Sequence, residues 1–296
     1  MNRTYRGRLA PSPTGFLHLG HAKTFWIAQE RAAARDGTLI LRSDDLDRAR
    51  CREQFSEGML EDLQWFGFRW TEGPDVGGPF APYRQSERMP HYLAAFERLR
   101  QIGAVYPCFC SRQDILRSIN APHASDEEPV YPGNCRPLRR AVENAEAGGS
   151  ELSVLAPDHP RAGVAWRFHV PDGETISFED GRLGMQQQVS GRDFGDFVIW
   201  RKDDLPAYQL ACVVDDAAMQ ITEVVRGEDL VTSTFRQILV YRALGFEVPS
   251  FYHCELMTDA KGQRLAKRDE AKTLRTLRAE GRSPEELRAG WMQPAS

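Results

Sequence analysis

A Pro- and Gly-rich turn, Pro11-Ser12-Pro13-Thr14-Gly15, parts a strand-like segment (Arg6 to Ala10) from a helical one carrying Ala22, Phe25, Trp26 and the run Gln29 to Ala33. Gly37 closes that helix, and Thr38 to Arg42, with the apolar core Leu39-Ile40-Leu41, reads as a buried strand. Strand, turn, helix, strand is the opening of a parallel α/β unit, because parallel neighbours need a crossover helix between them. The same opening limits where chemistry can sit. A strand running into a helix N-terminus offers backbone N–H groups and a positive dipole end to an anion.

Two further helices follow, one with Phe55, Met59, Leu60 and Leu63, the next with Met89, Tyr92, Phe96, Leu99 and Ile102, ending at Gly103. From about residue 107 the pattern changes. The stretch 120–150 is rich in Asn, Pro, Gly, Ser and acids, without a strong period. Extended segments follow at Val164 to Val170, Thr175 to Phe178, Arg182 to Val189 and Phe197 to Trp200, a mixed, β-rich insertion. Helix and strand signals resume at Tyr208. Ile221 to Val225 reads as a strand, Ser233 to Leu244 as a helix, and the charged tail Thr273 to Arg288 as helical.

Composition excludes several classes. No apolar run approaches the ~20 residues a membrane-crossing helix needs, and the polar start Met1-Asn2-Arg3-Thr4-Tyr5-Arg6 leads into no signal-peptide core. The expected setting is the cytoplasm, without membrane partners. With 38 basic against 42 acidic residues the chain is no wholly basic nucleic-acid wrapper, though a local basic face is open to it. Six cysteines without an export signal suggest a reducing compartment. No heptad or large apolar stripe demands a second copy, so a monomer is expected.

After the turn come His18-Leu19-Gly20-His21, two imidazoles on one face of a helical turn with a glycine that lets a flat ring approach the backbone. Imidazoles can donate to charge growing on a phosphoryl oxygen. On spacing alone, a capped helix with two surface histidines is the simpler reading.

Taken together, Ala10-Pro11-Ser12-Pro13-Thr14-Gly15 and His18-Leu19-Gly20-His21 resemble the first signature of class I aminoacyl-tRNA synthetases in their glutamyl form. Leu41-Arg42-Ser43-Asp44-Asp45-Leu46-Asp47, Tyr83-Arg84-Gln85-Ser86-Glu87-Arg88, Tyr208-Gln209-Leu210-Ala211 with Val213-Val214-Asp215-Asp216, and Val225-Arg226-Gly227-Glu228-Asp229-Leu230 are similar to later blocks of that family. Gln263-Arg264-Leu265-Ala266-Lys267-Arg268 looks like its second signature, a mobile lysine loop. The blocks keep family order over roughly residues 6 to 270.

The resemblance implies an α/β fold: a Rossmann-type parallel sheet, an inserted α+β zinc-containing domain and a short helical C-terminal region. Residues 1–106 would form the first half of the catalytic domain and 107–195 the insertion. Residues 196–250 would complete the catalytic domain, and 251–296 would hold the lysine loop and a helical region resembling a stem-contact element. It implies ATP as substrate, with magnesium bridging its phosphates, and activation of L-glutamate. His18, Gly20, His21 and Lys267 would line the ATP path, with His18, His21 and Lys267 catalytic. Arg8 and Arg226 would grip the glutamate side-chain carboxylate, Asp44 the α-amino group, and Ser12 and Tyr208 would fix orientation. Asp44 stands where the family usually has Glu, and Arg264 and Ala266 stand where its loop motif has Lys and Ser.

Cys108-Phe109-Cys110 and Tyr131-Pro132-Gly133-Asn134-Cys135 form the one cysteine cluster. By themselves three thiols fit free cysteines as well as a metal site, with His123 open as a fourth ligand. The resemblance points instead to Tyr131, giving a structural zinc on Cys108, Cys110, Tyr131 and Cys135.

Only 28 residues follow Arg268, too few for an anticodon-reading domain of the usual ~50 or more. This resembles the short family members that form glutamyl adenylate without tRNA. They pass the glutamyl group to the queuosine base in the anticodon loop of tRNA(Asp), so the anticodon arm is the expected partner. Two other readings stay open: a truncated synthetase charging a tRNA 3′ end, and a non-catalytic paralogue binding glutamate or RNA. Lys272, Arg275, Arg278, Arg282 and Arg288 could meet phosphates, although the interleaved Glu280, Glu285 and Glu286 favour a solvated helix face.

Overall fold

The computed structural model describes residues 4–111, 113–115, 130–136, 163–257, 272–289 and 291. Strand β1 (Arg6–Leu9) runs through the Pro/Gly turn into α1 (Leu19–Ala33), and β2 (Thr38–Leu41) returns parallel to β1 in the register Arg6↔Thr38 to Leu9↔Leu41. Helices α2 (Glu53–Phe66) and α3 (Met89–Gln101) follow. Then come β3 (Val105–Cys108), β4 (Ala165–Phe168), β5 (Thr175–Asp180), β6 (Gly184–Val189) and β7 (Phe197–Trp200). The second half supplies α4 (Tyr208–Ala218), β8 (Glu223–Gly227), α5 (Val231–Leu244) and β9 (Ser250–Cys254), and the tail supplies α6 (Leu274–Ala279) and α7 (Pro284–Ala289).

β8 and β9 pair in parallel, β5 joins β9 in parallel, and β6 closes the edge antiparallel to β5. β1 lies beside β8: the Thr222 N–H donates to the Arg6 carbonyl at 2.9 Å, and the Arg6 N–H to Thr222 Oγ1 at 2.9 Å. The layer therefore reads β2, β1, β8, β9, β5. A class I synthetase-like α/β fold with a parallel sheet results.

Side chains alternate between the two faces of this layer, as strand geometry requires. Leu39 and Leu41 face one core with α1, α2, α6 and α7, whereas Ile40 faces the other with α3, α4 and α5. The small buried residues Ala22, Ala28 and Ala32 let α1 lie close to the sheet. Gly67 ends α2 in the left-handed region at φ 96°, which a side chain would strain.

β3, β4 and β7 form a separate antiparallel sheet that packs on α3, with the Phe96 ring 5.0 Å from Trp166 and 5.4 Å from Trp200. The stretch 107–195 is thus divided: β4 joins β3 and β7, while β5 and β6 enter the sheet of β8 and β9. Three local differences from the sequence reading stand out. The tail forms two six-residue helices, not one, because the chain turns at Gly281 (φ 78°). β3 and β9 carried no strand assignment, and β9 brings His253 and Cys254 inward.

Candidate active site

The sheet order reverses at β1: β2 lies on one side and β8 on the other. Open α/β sheets bind ligands in the crevice beyond the carboxyl ends of strands at such a switch point. A cavity of about 420 Å³ opens there. Its walls come from the end of β1 (Arg8, Ala10, Pro11, Ser12), the start of α1 (His18, Gly20, His21) and Asp44 after β2. Tyr208 and Cys212 of α4, the end of β8 (Arg226, Gly227) with Asp229 just beyond it, and Glu255 to Met257 also line it. Arg8, Ser12, His18, Gly20, His21, Asp44, Tyr208 and Arg226, all named from sequence, share this one cavity. Lys267 and His123 lie outside the described residues.

Two guanidinium groups reach the cavity from within the protein, each only 5% exposed. Arg8 bridges the gap between its strand and β8 by donating to the Val225 carbonyl at 2.9 Å. Its Nε has no hydrogen-bond partner among the described residues and lies 3.5 Å from Asp216 Oδ1. Arg226 donates to Gln237 Oε1 at 2.8 Å, Thr234 Oγ1 at 2.7 Å and the Tyr208 hydroxyl at 3.2 Å. All of these acceptors are neutral, and no carboxylate pairs with Arg226 among the described residues. A buried cation without a counter-charge is costly unless an anion arrives, so the cavity is built to receive one.

Asp44 is held by Arg42, whose Nε and Nη2 donate to its two oxygens at 2.6 and 3.2 Å. Burial drives the Asp44 carboxyl up to about 6, against the pull of Arg42, with Asp215 and Asp216 adding repulsion. Arg42 itself is fully buried and also donates to Asp216 at 2.6 Å. Behind it Asp215 accepts from Arg88 at 2.6 Å and from Gln85 and Tyr92 at 2.8 Å.

At the start of α1, His18 is the N-cap: its Nδ1 accepts from the Gly20 N–H at 3.1 Å, while His21 Nδ1 accepts from the His18 N–H at 3.4 Å. The rings stack with centroids 3.8 Å apart. Because each Nδ1 accepts, each neutral ring carries its proton on Nε2 and is a donor there. The positive end of a 15-residue helix and two imidazole donors therefore share the cavity wall with the two arginines.

Residues 4–293 match the family model of the class I tRNA synthetases (E and Q), catalytic domain. The chain belongs to that family. It is a ligase of the aminoacyl-tRNA synthetase type. Among its relatives is a glutamyl-Q tRNA(Asp) synthetase of Symbiobacterium thermophilum, 48% identical over 94% of this chain and 83% of that protein. One of the same name from Nitratidesulfovibrio vulgaris is 44% identical over 93% of this chain and 82% of its own length. The fold is similar to the crystal structure of the glutamate-tRNA synthetase of Elizabethkingia anophelis, with a TM-score of 0.77 and 29% identity. The chain spans 60% of that longer protein.

Away from this cavity, the cysteine cluster meets a test for zinc. The sulfurs of Cys108, Cys110 and Cys135 lie within 4.8 Å of one another. Cys110 and Cys135 are 3.5 Å apart, and the Tyr131 hydroxyl is 3.5 Å from both Cys108 and Cys110. Tetrahedral zinc with bonds of about 2.3 Å spaces its ligands by about 3.8 Å, so these four atoms could hold the ion. Arg167 sets positive charge against the cluster: its Nε is 3.3 Å from Cys108 Sγ, and its guanidinium lies 3.9 Å over the Tyr131 ring. Hydrogen bonding within the cluster draws the Cys135 thiol below its usual range and pushes the Cys108 thiol above its own. Burial, with the same hydrogen bonds, pushes the Tyr131 hydroxyl up, so Cys135 ionises before either of them.

Four of the five tail cations are paired: Lys272 with Glu280 at 2.6 Å, Arg282 with Glu286 at 3.2 Å and Arg288 with Glu285 at 2.8 Å within the tail, and Arg275 with Glu61 of α2 at 2.5 Å; Arg278 has no ion pair among the described residues. That favours the solvated face over a phosphate-binding one. Sequence reasoning gave no role to Arg42, Asp216, Thr234, Gln237 or His253. The signal for Arg42 was available, since an arginine ending the apolar run Leu39-Ile40-Leu41 is a charge carried into a core.

Proposed function

We propose that this chain activates L-glutamate with ATP, without tRNA. It then transfers the glutamyl group to the queuosine base in the anticodon loop of tRNA(Asp). One observation carries the first half: two buried guanidinium groups, one with only neutral partners, sit in the same cavity as an imidazole-capped helix N-terminus. The relatives named glutamyl-Q tRNA(Asp) synthetase, matched over more than four fifths of their own length, support the second half.

In this reading Arg8 and Arg226 take the side-chain carboxylate of glutamate in paired hydrogen bonds. Asp44 receives the α-ammonium, and Ser12 and the Tyr208 hydroxyl hold the chain between. The α-carboxylate then attacks the α-phosphorus of ATP. The bond from that phosphorus to the bridging oxygen breaks, and pyrophosphate leaves. The protein supplies positioning and charge stabilisation for this exchange, not covalent chemistry. Nε2–H of His18 and His21 and the α1 N-terminus would meet the phosphoryl oxygens, Gly20 leaves room for the nucleotide, and Lys267 would neutralise the β- and γ-phosphates. Magnesium, when bound with the triphosphate, would screen the same charge. A hydroxyl of the queuosine cyclopentene diol next attacks the adenylate carbonyl and AMP departs. Zinc on Cys108, Cys110, Tyr131 and Cys135 would tie the insertion together.

Charging of tRNA(Asp) with labelled glutamate tests this. Base-labile label only on queuosine-containing tRNA is the expected result. Label on unmodified tRNA would point to 3′-end charging, and absence of glutamyl adenylate would remove catalysis altogether.

A further inference from the structure

Arg226 of β8 and His253 of β9 are register partners on adjacent parallel strands. Arg226 Nε lies 3.4 Å from His253 Nε2, Arg226 Nη2 donates to Thr234 Oγ1 at 2.7 Å, and that oxygen is 3.0 Å from His253 Nε2. On the far side of the ring, His253 Nδ1 is 2.7 Å from Asp180 Oδ2. Asp180 also accepts the backbone N–H groups of Arg182 and Leu183 at 3.0 Å and of His253 at 3.1 Å. Asp180, Thr234 and His253 are all buried.

The direction of every bond follows from these contacts. The Asp180 carboxyl lies below its usual range: burial works against ionisation, but the backbone donors and His253 outweigh it. An ionised carboxylate only accepts, so Nδ1 of His253 donates. Nε2 of the neutral ring then offers its one lone pair at 3.0 Å to the Thr234 hydroxyl, whose other acceptor is the Leu230 carbonyl at 3.3 Å, and at a longer 3.4 Å to Arg226 Nε–H. Burial, then the Arg226 charge, lowers the His253 pKa, which keeps the ring neutral. Arg182, whose guanidinium pairs with Glu228, adds repulsion from the strand edge, and Asp180 is the opposing attraction.

The chemistry of this cradle matters. A carboxylate in place of His253 would hold the guanidinium equally well and cancel its charge. A neutral imidazole, a hydroxyl and an amide hold it and leave the charge for a ligand.

We propose that Asp180 and His253, acting through Thr234, are positioning residues that aim Arg226 at the substrate carboxylate without neutralising it. This rests on the assignment of Arg226 to the glutamate side chain. The test is ATP–pyrophosphate exchange at varied glutamate, with Thr234→Val and Asp180→Asn, both close in size to the native residues, beside His253→Gln and Arg226→Ala. Thr234→Val and Asp180→Asn are expected to raise the KM for glutamate roughly tenfold or more, the scale on which small misplacements act. Their kcat and KM for ATP should stay near wild type, and Thr234→Ser, which keeps the hydroxyl, should restore the glutamate KM. A general folding defect would instead lower kcat per chain for both substrates. If Arg226→Ala loses glutamate activation while the folded Thr234→Val and Asp180→Asn proteins keep the native KM, the positioning role is overturned and the glutamate site stands. If Arg226→Ala itself keeps the native KM, the glutamate assignment falls first.

Discussion

Asp216 Oδ1 accepts a hydrogen bond from Arg42 Nη1 at 2.6 Å, across 174 residues of chain. The same oxygen lies 3.5 Å from Arg8 Nε, and Arg42 also holds Asp44 and stands 3.8 Å from Asp215. One fully buried guanidinium thus serves three carboxylates, two from α4 and one from the end of β2. Without Arg42, Asp44 is left buried with no cation among the described residues and Asp216 keeps only Arg8 at 3.5 Å, while Asp215 retains Arg88; breaking a buried pair in this way costs about 3–5 kcal/mol. Arg42→Ala is expected to lose stability on that scale in denaturant unfolding. A loss below about 1 kcal/mol, the range of an exposed pair, would contradict the hub role.

Under the proposed assignment Gly20 bears on the phosphate side of the cavity. A Cβ added there would lie 3.1 Å from both Cε1 and Nδ1 of His18, closer than ordinary contact. The ring is also the N-cap of α1, so it has to shift by a few tenths of an ångström and weaken the bond from the Gly20 N–H. Gly20→Ala should lower kcat for adenylate formation roughly tenfold. Its KM for glutamate should change little, since Arg8 and Arg226 stand on strands the substitution does not touch. Unchanged kcat in pyrophosphate exchange would remove His18 from the reaction path.

Much of this was legible in the sequence, for a physical reason. The turn from β1 into α1 is local: its prolines, glycines and imidazoles act within a dozen residues, so the first strand, helix and returning strand follow from the pattern alone. Ser12, His18, Gly20 and His21 were found that way, with the family resemblance supplying their roles. What was missed is non-local. Arg42 meets its partners 174 residues away, and His253 gains a role only when β5, β8 and α5 converge on it. The reading also passes over β9, whose run Ser250-Phe251-Tyr252-His253-Cys254 has neither the continuous aliphatic core of Leu39-Ile40-Leu41 nor a clean alternation of apolar and polar residues. The division of 107–195 between two sheets was hidden for the same reason, because a strand's partner is not written in its own residues.

The cysteine cluster predicts a metal-dependent local fold. Among the described residues its buried neighbours are few (Tyr106 with the ligands themselves), so little apolar packing backs the cluster there. Purified protein should carry about one zinc per chain, and Cys110→Ser should lose most of it. Chelation should lower the melting temperature of the native protein and not that of the metal-depleted variant. None of the four candidate ligands lines the synthetase cavity, so adenylate formation should survive in Cys110→Ser while it stays folded. Native protein that binds no zinc in elemental analysis would reject the site.

Asp44 predicts how the enzyme answers to acid. Burial lifts its carboxyl to about 6, where an unfolded aspartate titrates near 3.9. Under the proposed assignment only the ionised form receives the α-ammonium of glutamate. The ionised fraction falls tenfold per unit below that value, so the KM for glutamate should climb as pH drops from about 7 to 5. The sign for stability is the reverse. The folded chain binds this proton more readily than the unfolded one, so this group stabilises the fold fully below pH ~4, and that contribution is lost as pH rises through ~6. Ionised Asp44 therefore works against the fold at neutral pH, as a carboxylate kept for binding is expected to. Asp44→Asn should raise the KM for glutamate at neutral pH and flatten its acid limb, leaving the KM for ATP unaltered. A native acid limb persisting in Asp44→Asn would move the titration to another group.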